Sequence, residues 1–181
     1  MNLFATHYSP LVSAHNLCDK HLFSQAKEGV QMAVSALLIR GFDPESMPIA
    51  QSTGLPHKGG YRFHPATQWC SLSKKNWLWN WYHTKEIVAE IDRRFGKSHQ
   101  SDIQLEVLIH LFLETVVEWP LEGLTPFARC LNQSKGENTD LLEWDCPVEA
   151  YREFYNRDKA GFAKWTGRDP PTWWRGMSAT A

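Results

Sequence analysis

The densest group of reactive side chains lies early in the chain, between His15 and Glu28. If this stretch is helical, His21 and Glu28 stand seven residues apart, about two turns, and share one side of the helix. An imidazole and a carboxylate on one face, with Lys27 beside them, suffice for general acid–base catalysis or for stabilising a developing cation. The same residue types are also typical of an ordinary solvated helix face, so the spacing alone leaves both interpretations open.

A metal site is another interpretation of the same stretch. His15, Cys18 and His21 are spaced three residues apart, and zinc takes histidine and cysteine ligands. Successive i, i+3 positions drift around a helix, so a fourth ligand, such as His64 or Cys70, has to come from elsewhere. We assign no metal and no cofactor from the sequence, and zinc-dependent hydrolysis is kept as an alternative.

A glycine-containing turn places further polar side chains ahead of a predicted helix. Residues 58–65 read Lys-Gly-Gly-Tyr-Arg-Phe-His-Pro. Backbone amides at a helix N-terminus, together with Arg62 and His64, suit a phosphate or another anion. A simple Gly-Gly turn with a stacked tyrosine is the alternative. The segment matches neither a Walker loop nor a dinucleotide-binding fingerprint.

Basic residues stand beside aromatic ones in two further segments. The first has Lys74 and Lys75 next to three tryptophans, and the second contains Tyr151, Arg152 and Tyr155. Flat rings beside cationic groups can stack on an extruded or single-stranded base. A tryptophan-rich core covered by lysine stems has the same pattern. The nine tryptophans therefore predict either contact with nucleic acid or a large aromatic core.

The composition limits the class of protein. The 181 residues include 19 Lys and Arg against 20 Asp and Glu, which argues against a protein that slides along duplex DNA. This length favours one domain over residues 1–181, and the four separated cysteines predict free thiols. There is no run of about 18 apolar residues and no signal-peptide pattern at the start. We therefore expect a cytoplasmic protein without membrane contact.

The hydrophobic pattern predicts a mainly α fold, a compact single-domain helical bundle with long loops. Helices are predicted over 9–40 with a break near 16–20, and over 65–72, 73–95, 101–119 and 147–165. A capping box from Ser101 to Gln104 opens the helix at 101. The Pro/Gly-rich segment 41–60 is predicted to be a long loop. The paired Trp173 and Trp174 are expected to pack back on the body.

Two of these features together resemble a known family. Asp19–Leu22 reads Asp-Lys-His-Leu with a Glu seven residues after the His, and Gly60–Pro65 reads Gly-Tyr-Arg-x-His-Pro before a helix ending Asp-Arg-Arg-Phe-Gly. These motifs resemble the pyrimidine-dimer DNA glycosylase/AP lyase family of the phage endonuclease V type. The resemblance covers about residues 1–99, and residues 100–181 form a helical extension with a Pro/Trp tail.

The chain also resembles a group of uncharacterised phage proteins. The shared motifs are Cys18-Asp19-Lys20-His21, His64-Pro65, Arg94-Phe95-Gly96-Lys97 and Ala150-Tyr151-Arg152. If the protein is encoded by a phage, its expected location is the cytoplasm of the host.

The family resemblance implies an enzyme that flips nucleotides and attacks the sugar C1′ with its N-terminal amine. An α-amine suits this role because, unlike an ordinary lysine, it is partly neutral at pH 7. Glu28 matches the family's catalytic carboxylate, His21 matches an active-site imidazole, and Lys27 stands where the family has Arg. Asn2 departs from the family, whose nucleophile is a small residue exposed by removal of methionine. Either the Met1 amine serves instead or imine chemistry has been lost.

The residues and the resemblance together predict a DNA base N-glycosylase, with AP lyase activity as its second expected reaction. The predicted substrate is DNA or a nucleotide with a damaged or modified base. Met1, His21 and Glu28 are predicted to be catalytic. Substrate contacts are predicted for Lys27, Arg62, His64, Lys74, Arg94, Tyr151, Arg152 and Tyr155. The alternative is a non-catalytic module that binds nucleic acid or a host protein through a tryptophan-rich surface.

Overall fold

The computed structural model describes residues 1–131 and 136–176, and within these ranges it contains α-helices and no β-strand. The helices are Pro10–His15 (α1), Asp19–Ile39 (α2), Pro65–Cys70 (α3), Lys74–Phe95 (α4), Ser101–Glu114 (α5) and Pro147–Lys159 (α6). Two 3₁₀ turns cover Pro44–Ser46 and Thr139–Glu143. The predicted mainly α fold is confirmed, as is the long loop over 41–60.

The centre of the fold is the contact between the two long helices, α2 and α4. Gly29 lets them approach closely, since a Cβ at this position would lie 2.0 Å from Thr84 Oγ1. Asn80 Nδ2 donates to the Gly29 carbonyl at 3.0 Å, and Trp77 Nε1 donates to the Ala33 carbonyl at 3.1 Å. The two helices are therefore joined by buried side chain to backbone hydrogen bonds as well as by apolar packing.

The ends of α2 and α4 follow from local sequence. The predicted break near 16–20 is confirmed, because the chain leaves the helical conformation after α1 and α2 begins at Asp19. Ser73 caps α4, and its side chain accepts a hydrogen bond from the Asn76 amide at 3.1 Å. Gly96 ends α4 in the left-handed conformation at φ 60°, which glycine adopts without strain.

The predicted capping box at the start of α5 is wrong. Ser101 is already the first helical residue, and its hydroxyl donates to the Ala26 carbonyl at 2.9 Å and does not cap the helix. Gln104 Nε2 donates to the Ile49 carbonyl at 2.9 Å. Both polar side chains join α5 to other parts of the fold, so tertiary contacts override a local signal.

Two helices are shorter than predicted. Helix α5 ends at Glu114 rather than near residue 119, and Val116 is 95% exposed. The β-branched pair Val116 and Val117 disfavours continuation of the helix. Helix α6 ends at Lys159 rather than at 165, shortly before Gly161, which has a low helix propensity.

Three of the nine tryptophans belong to the buried core, and five others pack against it while partly exposed. Trp69, Trp77 and Trp79 are at most 4% exposed, and the indole N–H of each donates to a backbone carbonyl. The rings of Trp173 and Trp174 lie 5.9 and 6.2 Å from the Tyr155 ring, so the tail packs on the body as predicted. Trp144 is 38% exposed, and the alternative binding function through a tryptophan-rich surface stays a prediction.

The two ends of the described chain pack against each other. Arg152 Nε on α6 donates to the Thr6 carbonyl at 2.9 Å. Trp165 Nε1 donates to the Asn16 carbonyl at 3.1 Å, between α1 and α2. The first residues are thus held by segments more than a hundred positions later in the sequence.

All four cysteines are unpaired, as predicted. Among residues 1–131 and 136–176, no helix combines the length and hydropathy that crossing a bilayer requires.

Candidate active site around the N-terminus and Glu28

The first residues of the chain lie against the carboxylate of Glu28 on α2. The backbone amide of Asn2 donates to Glu28 Oε2 at 2.8 Å. Three covalent bonds separate the Met1 amine from the Asn2 nitrogen, so the amine lies within about 4 Å of that nitrogen. The structure therefore brings the Met1–Asn2 peptide group onto Glu28, while no ion pair joins the Met1 amine to this carboxylate in the described residues.

The side chain of Asn2 fixes this arrangement. Its Oδ1 accepts hydrogen bonds from the amides of Leu3, at 2.7 Å, and Phe4, at 3.2 Å. Its Nδ2 donates to the Cys130 carbonyl at 2.6 Å. Phe4 has φ 42°, a strained value for a non-glycine residue, and its ring stacks on His21 with centroids 4.6 Å apart. Asn2 is therefore a positioning residue that sequence reasoning treated only as a departure from the family.

The remaining contacts of the N-terminus come from α3. The buried Thr67 hydroxyl donates to Met1 Sδ at 3.2 Å. His64 caps α3, and its side chain accepts from the Ala66 amide at 3.2 Å. Burial lowers the pKa of His64, the positively charged N-terminus lowers it further, and Glu28 raises it. His64 therefore lies within electrostatic range of both the amine and the carboxylate.

The two oxygens of Glu28 have different surroundings. Gln25 Nε2 donates to Oε2 at 2.8 Å, the same oxygen that receives the Asn2 amide. Within the described part of the chain, Oε1 accepts no hydrogen bond, and the residue is half-buried. A carboxylate that is held through one oxygen and has its other oxygen available can accept a proton or stabilise a cation. Gln25, three residues before Glu28, was not among the predicted site residues.

His21 belongs to the support of the N-terminal segment rather than to this site. Its Nδ1 accepts a hydrogen bond from the Tyr155 hydroxyl at 2.6 Å, and its ring packs on Phe4. Burial lowers the pKa of His21 to about 4, helped by the nearby Lys159. In the described residues no hydrogen bond joins His21 to Glu28, so the expected partnership of the two side chains is not found.

A pH titration of stability tests this environment of His21. Because the pKa of His21 is about 4 in the folded protein and 6.5 is the ordinary value, the unfolded chain binds a proton between these pH values that the folded protein does not. Stability is expected to fall as the pH drops through this window, with His21 contributing up to about 1.4 kcal/mol per pH unit.

We expect His21→Gln to reduce the pH dependence of the free energy of unfolding in urea by up to about 1.4 kcal/mol per pH unit. An unchanged pH dependence in His21→Gln would contradict a neutral, buried imidazole.

The proposed zinc ligands do not converge. Cys18 Sγ lies 3.7 Å from His21 Nδ1, but His15 Nε2 is bound instead to Glu86 at 2.6 Å. Only His15, Glu86 and Glu90 form a group that could hold a metal in the described ranges, with ligand atoms within 4.8 Å.

Arginines already neutralise the carboxylates of that group. Arg168 Nη1 lies 2.6 Å from Glu90, and Arg93 pairs with both Glu86 and Glu90. Their positive charges oppose a metal cation, and the group is best described as an ion-pair network that joins α1, α4 and the tail.

Arg94 is also part of this structural network and does not reach the surface. Its side chain is 3% exposed. Its guanidinium donates to the carbonyls of Leu17 and His15 and pairs with Asp19 and Glu90. The expected substrate contact of Arg94 is therefore corrected to a role in holding α4 against the α1–α2 junction.

Two of the predicted aromatic contacts are buried as well. Tyr151 and Tyr155 are both 0% exposed. The Tyr151 hydroxyl donates to the Ala128 carbonyl at 2.7 Å, and the Tyr155 hydroxyl is held between His21 and the Cys18 amide. These tyrosines cannot stack on a base. Arg152 is half-buried and holds Thr6 and Glu149.

The exposed members of the predicted substrate set lie in three places. Lys27 stands next to Glu28 on α2, and Arg62 lies on the turn before α3. The same turn carries two aromatics not predicted as site residues, Tyr61 at 65% and Phe63 at 89% exposed. Lys74 lines a separate cleft at the start of α4.

Comparison of the chain with family models, with curated proteins and with solved structures found no match.

Proposed function

We propose that the protein is a DNA base N-glycosylase with an accompanying AP lyase activity, and that the Met1 amine and Glu28 carry the chemistry. The observation that supports this most directly is the hydrogen bond from the Asn2 amide to Glu28, because it fixes the chain terminus beside a carboxylate. The proposal also draws on the motif resemblance and requires that the mature chain begins at Met1.

The reaction assigns one task to each group. The neutral Met1 amine attacks C1′ of the deoxyribose, the bond from C1′ to the base breaks, and the base leaves with a proton. The C1′–O4′ bond of the sugar ring then breaks and the imine forms, and the two protons that the nitrogen loses end on the departing base and on O4′, with Glu28 relaying them. Removal of a C2′ proton then expels the 3′ phosphate oxygen and cleaves the strand.

The surroundings of the site fit a nucleic acid. Tyr61 and Phe63 present exposed rings on the turn that leads to His64, and such rings stack on unpaired bases. Arg62 lies between them in the sequence and is exposed, as a phosphate contact requires.

Borohydride trapping on DNA with an abasic site tests the proposal. We expect a covalent adduct that mass spectrometry maps to the Met1 amine, while intact mass establishes that Met1 is retained. A chain with two extra residues before Met1 serves as the matched control, because it keeps Glu28 but moves the amine. An adduct on a lysine, or no adduct with Met1 intact, would contradict the proposal.

The non-catalytic alternative makes the opposite prediction for Glu28. It expects DNA binding without any adduct, unchanged in Glu28→Gln. Three of the nine tryptophans on which it is based are buried, and the other six keep exposed surface.

The anchoring role of Asn2 predicts a measurable loss of order in the first residues. In Asn2→Leu the three side-chain hydrogen bonds disappear, so we expect faster hydrogen exchange at the Leu3 and Phe4 amides and about tenfold less trapped adduct.

Asn2→Asp keeps the acceptor oxygen for both amides and loses only the bond to the Cys130 carbonyl. It should therefore protect Leu3 and Phe4 better than Asn2→Leu does. Equal exchange in Asn2→Leu and the wild-type protein would contradict the anchoring role.

A further inference from the structure

A polar cleft of about 560 Å³ runs beside α2, on the side that carries Lys27. Its other walls come from the 41–60 loop and from the start of α5. Its lining residues are Lys27, Gln31, Ala50, Gln51, Ser52, His57, Ser98, His99, Gln100, Ser101 and Gln104. The volume lies within the range of about 300–1,000 Å³ that is typical of small-molecule sites.

The chemistry of the lining favours an anion. Lys27 supplies a full positive charge, and His57 and His99 supply two imidazoles, whereas no carboxylate is among the lining residues. Most of the other side chains are amides and hydroxyls, which bind sugar hydroxyls and phosphate oxygens by hydrogen bonds. The usual drug-like pocket is mostly apolar, so this cleft fits a polar, negatively charged ligand better.

The cleft borders the candidate active site. Lys27 directly precedes Glu28, and Gln31 follows Glu28 by one turn of α2. A smaller cleft of about 290 Å³ shares Gln31 and His57 and adds Lys58 and Gly59, just before the turn that leads to His64. A ligand in the cleft would therefore have positive groups on both sides of Gln31.

A third cleft shows that this chemistry is not general on the surface. The cleft of about 450 Å³ at the start of α4 also contains two lysines, Lys74 and Lys75, but Glu122 and the apolar Trp119 and Val117 line it too. Its charges are mixed, so it lacks the uniformly non-acidic lining of the cleft beside α2.

We propose that the cleft beside α2 binds a phosphorylated nucleotide, either as a free mononucleotide or as one residue of a strand. This assignment rests on the proposed function, because it makes the bound phosphate part of the substrate on which Glu28 acts. The phosphate lies near Lys27, and the amides and hydroxyls of the walls contact the sugar and the base.

Binding is measured in the Glu28→Gln background, so that no covalent chemistry contributes. The probes are thymidine 5′-monophosphate, thymidine and a 5′-phosphorylated single-stranded oligothymidine, titrated by calorimetry or by NMR of the His57 and His99 rings. We expect the monophosphate to bind at least about tenfold more tightly than thymidine, because the phosphate meets the Lys27 charge. Competition between the monophosphate and the oligonucleotide shows that both use the cleft; tighter binding of the oligonucleotide then indicates a strand residue, and equal or tighter binding of the monophosphate indicates a free nucleotide.

Two isosteric variants place a carboxylate in the cleft without touching the catalytic residues. Gln51→Glu and Gln100→Glu change opposite parts of the lining and should each weaken phosphate binding by about tenfold. Lys75→Gln is the matched control, because it changes the net charge by the same amount in the third cleft. We expect it to bind as the parent protein does.

The proposal is overturned if thymidine binds as tightly as its monophosphate. It is also overturned if no probe binds at millimolar concentration, or if both glutamate variants bind like the parent. These results are independent of the borohydride experiment, which measures covalent attachment to the Met1 amine. If the amine is trapped but no phosphate binds, the nucleotide site in the cleft is wrong and the proposed function stands. If phosphate binds but no adduct is trapped, the proposed function is wrong and the nucleotide site stands.

Discussion

Replacing Glu28 with Gln is expected to slow strand cleavage at an abasic site by about 100-fold or more, the usual contribution of a positioned acid or base. The amide oxygen of Gln can still accept from the Asn2 amide and from Gln25, so the N-terminal segment should keep its place. What the variant loses is the negative charge, which both accepts a proton and stabilises a positively charged sugar intermediate.

Single-turnover cleavage of an abasic oligonucleotide measures this effect. Glu114→Gln, an exposed carboxylate at the end of α5, is the matched control and should cleave at the parent rate. Thermal unfolding by circular dichroism checks that both variants are folded. Cleavage by Glu28→Gln within about threefold of the parent would exclude Glu28 as the catalytic carboxylate.

The largest loss of stability is expected from Arg94→Met. The guanidinium holds the Leu17 and His15 carbonyls and pairs with Asp19 and Glu90 in an almost fully buried setting. Its removal leaves the Glu90 carboxylate with less compensation and the Leu17 carbonyl without this donor, while the His15 carbonyl keeps only Arg168. Breaking a buried pair in this way costs about 3–5 kcal/mol.

Urea unfolding at pH 7 gives the free energies for this comparison. Arg94→Lys should also be strongly destabilising, since one ammonium group cannot reproduce the several directed hydrogen bonds of a guanidinium. Lys85→Met breaks a solvent-exposed pair with Asp102 and Glu106 and should cost less than about 1 kcal/mol. A loss below about 1 kcal/mol for Arg94→Met would show that the network is dispensable.

The helices were predictable where local signals and packing agree. The Ser73 cap and the Gly96 terminus of α4 follow directly from residue type. The start of α5 was not predictable, because Ser101 uses its hydroxyl for the Ala26 carbonyl, a contact between residues 75 positions apart. A capping box is a local pattern and cannot show that its members are needed elsewhere.

The candidate site was predictable only in part. Glu28 was identified by its motif and His64 by its turn, but Asn2 was noted only as an exception. Its function depends on Cys130, which lies 128 residues away. His21 shares a helix side with Glu28, as its spacing indicates, but the strained Phe4 covers its ring. Helical spacing defines the side of a helix, not the segment that packs on it.

Burial decided the interpretation of the aromatic residues. Composition treats Trp77 and Phe63 alike, yet the first is fully buried and the second is 89% exposed. The difference in burial comes from where each residue lies relative to the α2–α4 contact. That contact joins two separate segments, so neither segment alone predicts it.

The mutual packing of the two chain ends has a consequence for biosynthesis. Asn2, Thr6 and Asn16 find their partners at Cys130, Arg152 and Trp165. A ribosome adding about 5–20 residues per second reaches residue 165 only about 10–30 seconds after it has made the first residues. Until then the segment around Phe4 can pack only on early partners such as His21 and lacks its contacts with α6. The nascent chain therefore keeps part of its apolar start uncovered during translation, and the site at Glu28 can be completed only after Cys130 has been made.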